Sequence, residues 1–453
     1  MKTNGITIMP EYIQSEGIEA ILNRCEEAGI RQIATSPYYM HEAEEGCGYR
    51  EPPIDAGSGK VRLLDRPLWG KNEVWFTVTP SFKPNISLYE GLAYEPMPCE
   101  TEPGTLLHYF IDAAAERGIE VYFQIMAAIP PALRVQDGNP LPADLPLLPD
   151  GSSLNKPLAR NGSLASSELL KYTQSLSCDL IEQYPKLAGI RFDWPEYPCY
   201  HLDATFTDFN PQVRPIAEAA GFDFDKVQQT VDKLWQRLKN LSNADLDVDS
   251  LFDLSDDLHT IEQWQRMKAY LATRYNQALC ESVQKKGKKA ILHAFPPPFS
   301  GLTGFDFAQC HELADGIGMK LYTMHLPMIM NHYGKQLMQW NPHLNEERLT
   351  ASLNRWLDLT DKPLKSLADY AYPQPEKPHQ VDYTAQIRKI QAARSRSSKI
   401  HTMVHTYGPV SDFAERLALS LNHSPDGIWL NRYCYLDDTK HSILVETMEG
   451  VTN

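Results

Sequence analysis

The chain has 453 residues, of which 42% are hydrophobic and 22% are charged, as is usual for a folded globular protein. Its formal net charge of −15 would repel both the phosphates of a nucleic acid and an anionic membrane surface, so we expect neither as a partner. The eight cysteines include no Cys-x-x-Cys pair, which argues against a zinc ribbon. We expect a cytoplasmic protein, because the chain opens without a charged leader followed by an apolar segment.

Eight short apolar runs alternate along the chain with segments of helical periodicity. They are Ile6–Met9, Gln32–Thr35, Glu120–Ile125, Gly189–Asp193, Lys289–His293, Gly316–Tyr322, Thr402–Thr406 and Gly427–Arg432. This alternation predicts parallel strands joined by helical crossovers, including helices at about 17–28, 106–117 and 166–183. Eight such units favour an α/β protein of the closed (β/α)8 TIM-barrel type over an open sheet. A ninth apolar run, Leu364–Asp369, is assigned to a loop.

Two long segments depart from this repeat. Residues 37–104 are rich in proline, glycine and aromatic residues, which predicts a loop elaboration after strand two, with a hairpin around 61–80. Residues 212–285 have mostly helical periodicity, which predicts a helical insertion after strand four. We expect residues 1–453 to form a single catalytic barrel that contains both segments.

Polar side chains recur where the predicted strands end. The active sites of such barrels lie at the C-terminal ends of the strands, so these side chains should meet at one mouth. The polar residues in or just after the strands are Gln124, Arg191, Asp193, Glu196, His293, Lys320, His405, Asn431 and Arg432. Apolar packing of a barrel does not require this concentration, so we interpret the set as a candidate site.

The most specific motif is the run Gly189-Ile-Arg-Phe-Asp-Trp-Pro-Glu-Tyr-Pro198. Asp193 closes the strand, and Arg191 points to the same side two residues earlier. The guanidinium would keep the Asp193 carboxylate ionised, while Glu196 follows on a proline-stiffened loop. Glycoside cleavage uses two such carboxyl groups. The alternative is a structural Asp193–Arg191 ion pair beside a solvated Glu196.

Aromatic residues also cluster at the predicted strand ends. They are Tyr38, Tyr39, Trp194, Tyr197, Tyr200, Tyr322, Tyr407 and Tyr433. The flat C–H face of a pyranose ring stacks on aromatic rings, and tyrosine hydroxyls can bond sugar hydroxyls. The set therefore indicates a carbohydrate site, with packing beneath loops as the alternative for any single member.

The histidines and Lys320 allow further interpretations. His293, His325 and His405 could bind a metal or contact sugar hydroxyls. Only strand four supplies a clear carboxylate, so we predict no metal ligand and no cofactor. Lys320 lies on strand six, where Schiff-base aldolase barrels carry their lysine. We favour the alternative, in which Lys320 bonds substrate oxygens or Asp193.

Several motifs resemble those of bacterial glycosyl-hydrolase-like (β/α)8-barrel proteins, over almost the whole chain. Besides the strand-four run they are Leu147-Leu-Pro-Asp-Gly151, Phe206-Thr-Asp-Phe-Asn210, Lys320-Leu-Tyr-Thr323, His405-Thr-Tyr-Gly408 and Asp426-Gly-Ile-Trp-Leu-Asn-Arg-Tyr433. The Gly-x-Arg-x-Asp core is also similar to the strand-four motif of the α-amylase superfamily, in which the aspartate is the nucleophile. That superfamily's acid/base glutamate ends strand five, where this chain has His293.

These patterns together favour a glycoside hydrolase that acts on a small carbohydrate or glycoside. Asp193 would be the nucleophile or base, and Glu196 the general acid, with its pKa raised by Trp194 and the proline-walled loop. Asp208 and Asp369 are the next candidates for the acid. The rival interpretations are a carbohydrate-binding barrel without activity and a metal-dependent sugar isomerase or lyase.

Overall fold

The computed structural model describes residues 4–53, 62–99, 102–130, 133–134 and 138–452. Its strands are β1 (Gly5–Thr7), β2 (Gln32–Thr35), β3 (Tyr38–Ala43), β4 (Tyr49–Glu51), β5 (Val74–Pro80), β6 (Glu120–Met126), β7 (Gly189–Asp193), β8 (Lys289–Ala294), β9 (Gly316–Leu321), β10 (Ile400–His405) and β11 (Ile428–Asn431). All except β3, β4 and β5 pair in parallel and close a barrel in the order β1-β2-β6-β7-β8-β9-β10-β11. The predicted (β/α)8 barrel is thus confirmed, and each predicted apolar run overlaps one barrel strand.

Helices cover the outside of this barrel. They are α1 (Pro10–Glu16), α2 (Ile18–Glu27), α3 (Leu106–Glu116), α4 (Ser167–Gln183), α5 (Val213–Ala219), α6 (Phe224–Leu238), α7 (Leu258–Gln284), α8 (Phe299–Thr303), α9 (Phe307–Leu313), α10 (His325–Trp340), α11 (Glu346–Leu357), α12 (Tyr383–Arg394), α13 (Val410–His423) and α14 (Asp438–Thr452). The predicted stops of α2 and α3 lie beside Gly29 and Gly118, whose φ angles of 62° and 69° suit glycine. Within the described ranges, none of these helices is both long enough and apolar enough to cross a membrane.

The two long segments form the elaborations expected of them, with one difference in detail. After β2, strands β3, β5 and β4 form a separate antiparallel sheet in that order. The predicted hairpin around 61–80 is present only as a short antiparallel turn, in which Leu68 and Lys71 exchange backbone hydrogen bonds and Leu64 N–H donates to Asn72 O. The strand β5 that follows pairs instead with strands upstream of it. Between β7 and β8, α7 packs on α4 and β8 as a barrel crossover helix does, so α5 and α6 are the added helices.

The barrel interior beneath the mouth holds an arginine stacked on a tryptophan. The guanidinium carbon of Arg191 lies 3.4 Å from the centre of the Trp429 ring. A side chain at Gly5 would overlap that ring, and a Cβ at Gly318 would lie 3.1 Å from Arg191 Nη2. These two glycines therefore make room for the pair, and Trp429 is fixed by an Nε1 hydrogen bond of 2.8 Å to Thr7.

Candidate active site

A cavity of about 110 Å³ opens at the C-terminal ends of the barrel strands. Ten of the residues predicted from the sequence line it: Gln124, Asp193, Trp194, Tyr200, Lys320, Tyr322, His325, His405, Asn431 and Arg432. The other described residues that line it are Thr7, Met9, Pro53, Arg62, Met126, Leu133 and Arg134. Residues from distant parts of the chain thus meet at the end of the barrel where barrel enzymes carry their active sites.

Asp193 lies at the floor of this cavity and is held on both carboxylate oxygens. Its Oδ1 lies 3.1 Å from Lys320 Nζ and 3.3 Å from His293 Nδ1, and it accepts a bond of 3.0 Å from the backbone N–H of Trp194. Its Oδ2 accepts a bond of 3.2 Å from Gln124 Nε2. Strands β6, β7, β8 and β9 supply these groups, so the barrel itself fixes the position of the carboxylate.

The Asp193 carboxyl group is held ionised. Burial alone would raise its pKa, but the Lys320 ammonium and the contact with His293 outweigh burial and keep the pKa below its ordinary value. Burial also lowers the pKa of His293 to about 4, so this imidazole is neutral near pH 7. The cation that holds Asp193 is therefore Lys320.

Arg191 does not pair with Asp193, which corrects the sequence-based interpretation. Although the two residues lie on the same side of β7, Arg191 is fully buried in the barrel below Asp193 and stacks on Trp429. Its three guanidinium nitrogens make no hydrogen bond to any described residue, and burial lowers its pKa to about 9. Arg191 thus contributes to the floor beneath the site and does not line the cavity.

Lys320 joins the two carboxyl groups of the strand-four motif. Its Nζ lies 3.4 Å from Glu196 Oε1 as well as 3.1 Å from Asp193 Oδ1, so these oxygens are at most about 6.5 Å apart. The ammonium also lies 4.4 Å from the centre of the Trp194 ring, within range of a cation–π interaction. Burial would lower the pKa of Lys320, but Asp193 and Glu196 raise it, so the side chain is an ammonium ion.

Glu196 lies behind the cavity wall. It is fully buried, and its carboxylate accepts hydrogen bonds from the backbone N–H of Phe295 (3.0 Å) and from the hydroxyl of Thr303 (2.6 Å). Burial raises its pKa to about 7 against the opposing effect of Lys320. The raised pKa was expected, but the direct lysine contact was not, because we expected surroundings free of lysine and arginine.

The predicted tyrosines divide into two groups. Tyr200 and Tyr322 line the cavity, whereas Tyr38, Tyr39, Tyr197, Tyr407 and Tyr433 do not. The hydroxyls of the last four donate hydrogen bonds within the protein, to Gly104 O, Asp208 Oδ2, Pro373 O and Glu16 Oε2, and Tyr38 packs in a small apolar cluster. The alternative interpretation, packing beneath loops, therefore describes these five residues.

The two reserve candidates for the acid lie away from the cavity. Asp208 is buried and accepts hydrogen bonds from the Ser163 hydroxyl and the backbone N–H of Asn210. Asp369 accepts a bond from the backbone N–H of Ser366 at the start of a short turn. Both carboxylates thus stabilise local backbone structure.

Two residues of the cavity wall have an unusual backbone conformation. Trp194 and Arg432 adopt positive φ angles of 55° and 74°, a region that residues other than glycine rarely occupy. Both follow directly on the last residue of a barrel strand. The sharp change of direction turns both side chains toward the cavity, at a cost of about 1–3 kcal/mol each.

Sequence reasoning missed Arg62 and Arg134, which line the cavity but follow no strand directly. They lie in the long segments after β2 and β6, both on the face that carries the site. Their segments have no periodicity that would reveal inward-facing positions. Among the described residues, no group of three or more His, Cys, Asp or Glu side chains is arranged to hold a metal ion.

Solved structures that share this fold include glycoside hydrolases. The glycoside hydrolase domain of PgaB (BpsB) from Bordetella bronchiseptica matches with a TM-score of 0.51 at 9% identity, over 99% of both chains. A β-galactosidase from the Antarctic haloarchaeon Halorubrum lacusprofundi matches with a TM-score of 0.51 at 11% identity, over 99% of this chain and 58% of that one. At these identities the likeness shows the fold alone. No protein-family model matches the sequence, and no curated protein does.

Proposed function

We propose that this protein is a glycoside hydrolase-like enzyme in which Asp193 reacts at the anomeric carbon of a sugar. The observation that carries the proposal is an ionised carboxylate at the end of a barrel strand, held by Lys320 in a cavity with aromatic walls. Glycosidases stabilise an oxocarbenium-like transition state with such a carboxylate. The glycoside hydrolases among the structural neighbours agree with this choice.

The contacts of Asp193 leave its Oδ2 able to react. Its Oδ1 is occupied by Lys320, His293 and the Trp194 backbone, whereas its Oδ2 accepts one bond, from Gln124. A carboxylate oxygen has two lone pairs, so Oδ2 keeps one for a substrate. This oxygen would attack the anomeric carbon itself or take a proton from an attacking water.

We propose Glu196 as the source of the proton that the leaving group needs. With a pKa of about 7, a substantial fraction of its carboxyl groups is protonated near neutral pH. Because Glu196 lies behind Lys320, the ammonium would donate a proton to the leaving oxygen and recover one from Glu196. The separation of at most about 6.5 Å between Asp193 Oδ1 and Glu196 Oε1 is compatible with the spacing of about 5–5.5 Å found in retaining enzymes.

The cavity walls suit a single sugar unit. Its volume of about 110 Å³ corresponds to roughly eight water-sized groups at about 10–15 Å³ each. Trp194 and Tyr322 offer rings for the C–H face of the sugar, while Gln124 and Asn431 offer hydrogen-bonding groups. A Schiff base at Lys320 has less support, because that chemistry needs a lysine of lowered pKa and the pKa of Lys320 is raised.

A carbohydrate-binding barrel without activity is the second candidate. Asp193 is the single carboxylate among the described residues that line the cavity, and Glu196 is fully buried. An enzyme with one accessible carboxylate depends on Lys320 to deliver the proton. A binding protein needs only the walls and the hydrogen-bonding groups.

The two candidates are separated by replacing Asp193 with asparagine, which keeps its shape and removes its charge. We expect Asp193→Asn to lower the hydrolysis of aryl glycosides by at least ~10³-fold and to leave sugar binding within a few fold. Asp426→Asn is the matched control, because Asp426 precedes β11 and so lies at the opposite end of the barrel. Wild-type protein that binds sugars but cleaves no glycoside would support the binding barrel. An Asp193→Asn variant with more than a tenth of wild-type activity would overturn the role of Asp193.

A further inference from the structure

The cavity is lined by an excess of cations, although the chain as a whole is acidic. Among the residues that the structure describes, four cationic side chains line it: Arg62, Arg134, Lys320 and Arg432. Asp193 is the only acidic side chain that lines it within the described ranges, whereas the whole sequence has a formal net charge of −15. A cleft whose charge opposes that of the rest of the protein concentrates ligands of the opposite sign.

Two of these arginines are held in place by one buried carboxylate. Glu51 is 1% exposed and does not line the cavity. Its Oε2 pairs with Arg134, and its Oε1 lies 3.4 Å from Arg432 Nη1. One negative charge behind the wall thus fixes two guanidinium groups that face the cavity, and the pair keeps a net positive charge.

Arg134 keeps a hydrogen-bond donor for a ligand. Its Nε is buried and makes no hydrogen bond to any described residue. The side chain is 8% exposed and borders the cavity. A buried donor without a partner is destabilising by about 1–3 kcal/mol. An oxyanion in the cavity would relieve this, because a guanidinium donates two parallel bonds to a carboxylate or phosphate.

We propose that the cavity takes a negatively charged saccharide, whose carboxylate or phosphate group is bound by Arg134 and Arg432. Asp193 marks the other end of the sugar unit, where the glycosidic bond would lie. This inference rests on the proposed function for the orientation of the sugar. Its test measures binding, so the two proposals can fail separately.

Glu11 is a further group near these arginines, and it limits the conditions of the test. It is fully buried, and burial together with the charge of Glu51 raises its pKa to about 7, against the effect of Arg134 and Arg432. At pH 6 the Glu11 carboxyl is therefore mostly neutral, so its negative charge no longer offsets the positive charges of Arg134 and Arg432. For a sugar carboxylate, whose charge does not change in this range, we expect tighter binding at pH 6 than at pH 8.

The test is calorimetric titration of the full wild-type chain at pH 6 and low salt with matched sugars. Glucuronate and galacturonate supply a carboxylate, glucose 6-phosphate and galactose 6-phosphate supply a phosphate, and glucose and galactose are the neutral parents. We expect one anionic class to bind at least ~10-fold more tightly than its parent, with an affinity that falls as salt is added. The class that binds identifies the anion. Neutral parents that bind as tightly as the anionic sugars, or the failure of every anionic sugar to bind, would overturn the proposal.

Variants of Arg134 test whether this residue of the cavity wall causes the preference for anionic sugars. We expect Arg134→Gln to weaken binding of the preferred anion by about 10- to 100-fold, as loss of a charged hydrogen-bond pair of ~1.5–3 kcal/mol requires. Arg134→Lys keeps the charge opposite Glu51 and should fold even if the glutamine variant does not; it should lose a smaller part of the affinity. Arg66→Gln is the control, because Arg66 also pairs with a glutamate, Glu16, but does not line the cavity. If both Arg134 variants keep the full preference for the anion, Arg134 does not bind the anionic group and the proposal is wrong.

The two proposals remain distinguishable. If the anionic sugars bind but no glycoside is cleaved, the proposed function fails and this inference stands. If only neutral glycosides are bound and cleaved, the proposed function stands and this inference fails.

Discussion

The replacement of Lys320 by methionine tests the electrostatic design of the site most severely. Lys320 is buried between two carboxyl groups, at 3.1 Å from Asp193 and 3.4 Å from Glu196. Methionine keeps most of the length of the side chain and removes its charge. The Lys320→Met variant therefore leaves two buried carboxyl groups close together without a cation between them.

The expected loss of stability follows from these distances. A unit charge pair at 3.1 Å interacts by about 5 kcal/mol at an effective dielectric constant of about 20. Removing one partner of a buried pair costs about 3–5 kcal/mol in practice, because the remaining charge stays buried. The pKa of Asp193, now below its ordinary value, should rise by about 1–3 units once the ammonium is gone.

The assay is urea unfolding at pH 5, 6.5 and 8. In the wild type, the lowered pKa of Asp193 contributes stability above its unfolded value near 4, and this contribution is lost as the pH falls through the folded pKa. In Lys320→Met the pKa of Glu196, already about 7, is raised further, so protonation of Glu196 relieves the variant as the pH falls. We therefore expect the loss of stability to be largest at pH 8 and smallest at pH 5.

Lys440→Met is the matched control for this measurement. Lys440 is also buried, but it pairs with a single carboxylate, that of Asp65, whose side chain is 35% exposed. Its replacement should cost less and depend less on pH between 5 and 8. A Lys320→Met variant as stable as the wild type at pH 8, or destabilised equally at pH 5 and pH 8, would refute the bridging role of Lys320.

Two further predictions concern Glu196 and the barrel interior. The pKa of Glu196 is raised from 4.5 to about 7, so its contribution to stability is fully present below 4.5 and is lost as the pH rises to 7. Glu196→Gln should therefore remove a decline of wild-type stability between about pH 5 and 7; unfolding curves with unchanged pH dependence would contradict this. A Cβ at Gly318 would lie 2.9 Å from Met403 Sδ and 3.1 Å from Arg191 Nη2, so Gly318→Ala should cost about 1–3 kcal/mol. Gly301→Ala in α8 meets open space, so it should raise the unfolding free energy by at most about 1 kcal/mol and should not lower it.

The barrel, and the end of it that carries the candidate site, could be predicted from the sequence because both depend on local patterns. Each strand is a short apolar run between turn residues, and Asp193 closes such a run where a barrel strand meets the mouth. Lys320 was also identified from its place on an inner-facing strand. These inferences need only the periodicity of a strand and the parallel arrangement of its neighbours.

The partners of these residues were harder to predict because they depend on depth and on loops. Alternation placed Arg191 on the same side as Asp193, but two residues of strand span about 6.6 Å, which puts Arg191 in the barrel beside Trp429. Arg62 and Arg134 reach the cavity from irregular segments, for which no periodicity exists. The direction of the Glu196 loop depends on contacts with Thr303 and Phe295, which are remote in sequence.

The most direct measurement of the central claim is chemical rescue of Asp193→Ala with azide, on an activated aryl glycoside that the wild type cleaves. The activated leaving group needs no proton, so the variant lacks only the Asp193 carboxylate, and azide can occupy the space it leaves and attack the anomeric carbon. Our account predicts a rate at least ~10³-fold below wild type without azide, and recovery with azide accompanied by a glycosyl azide detected by mass spectrometry. Hydrolysis by Asp193→Ala at more than a tenth of the wild-type rate in the absence of azide would contradict it.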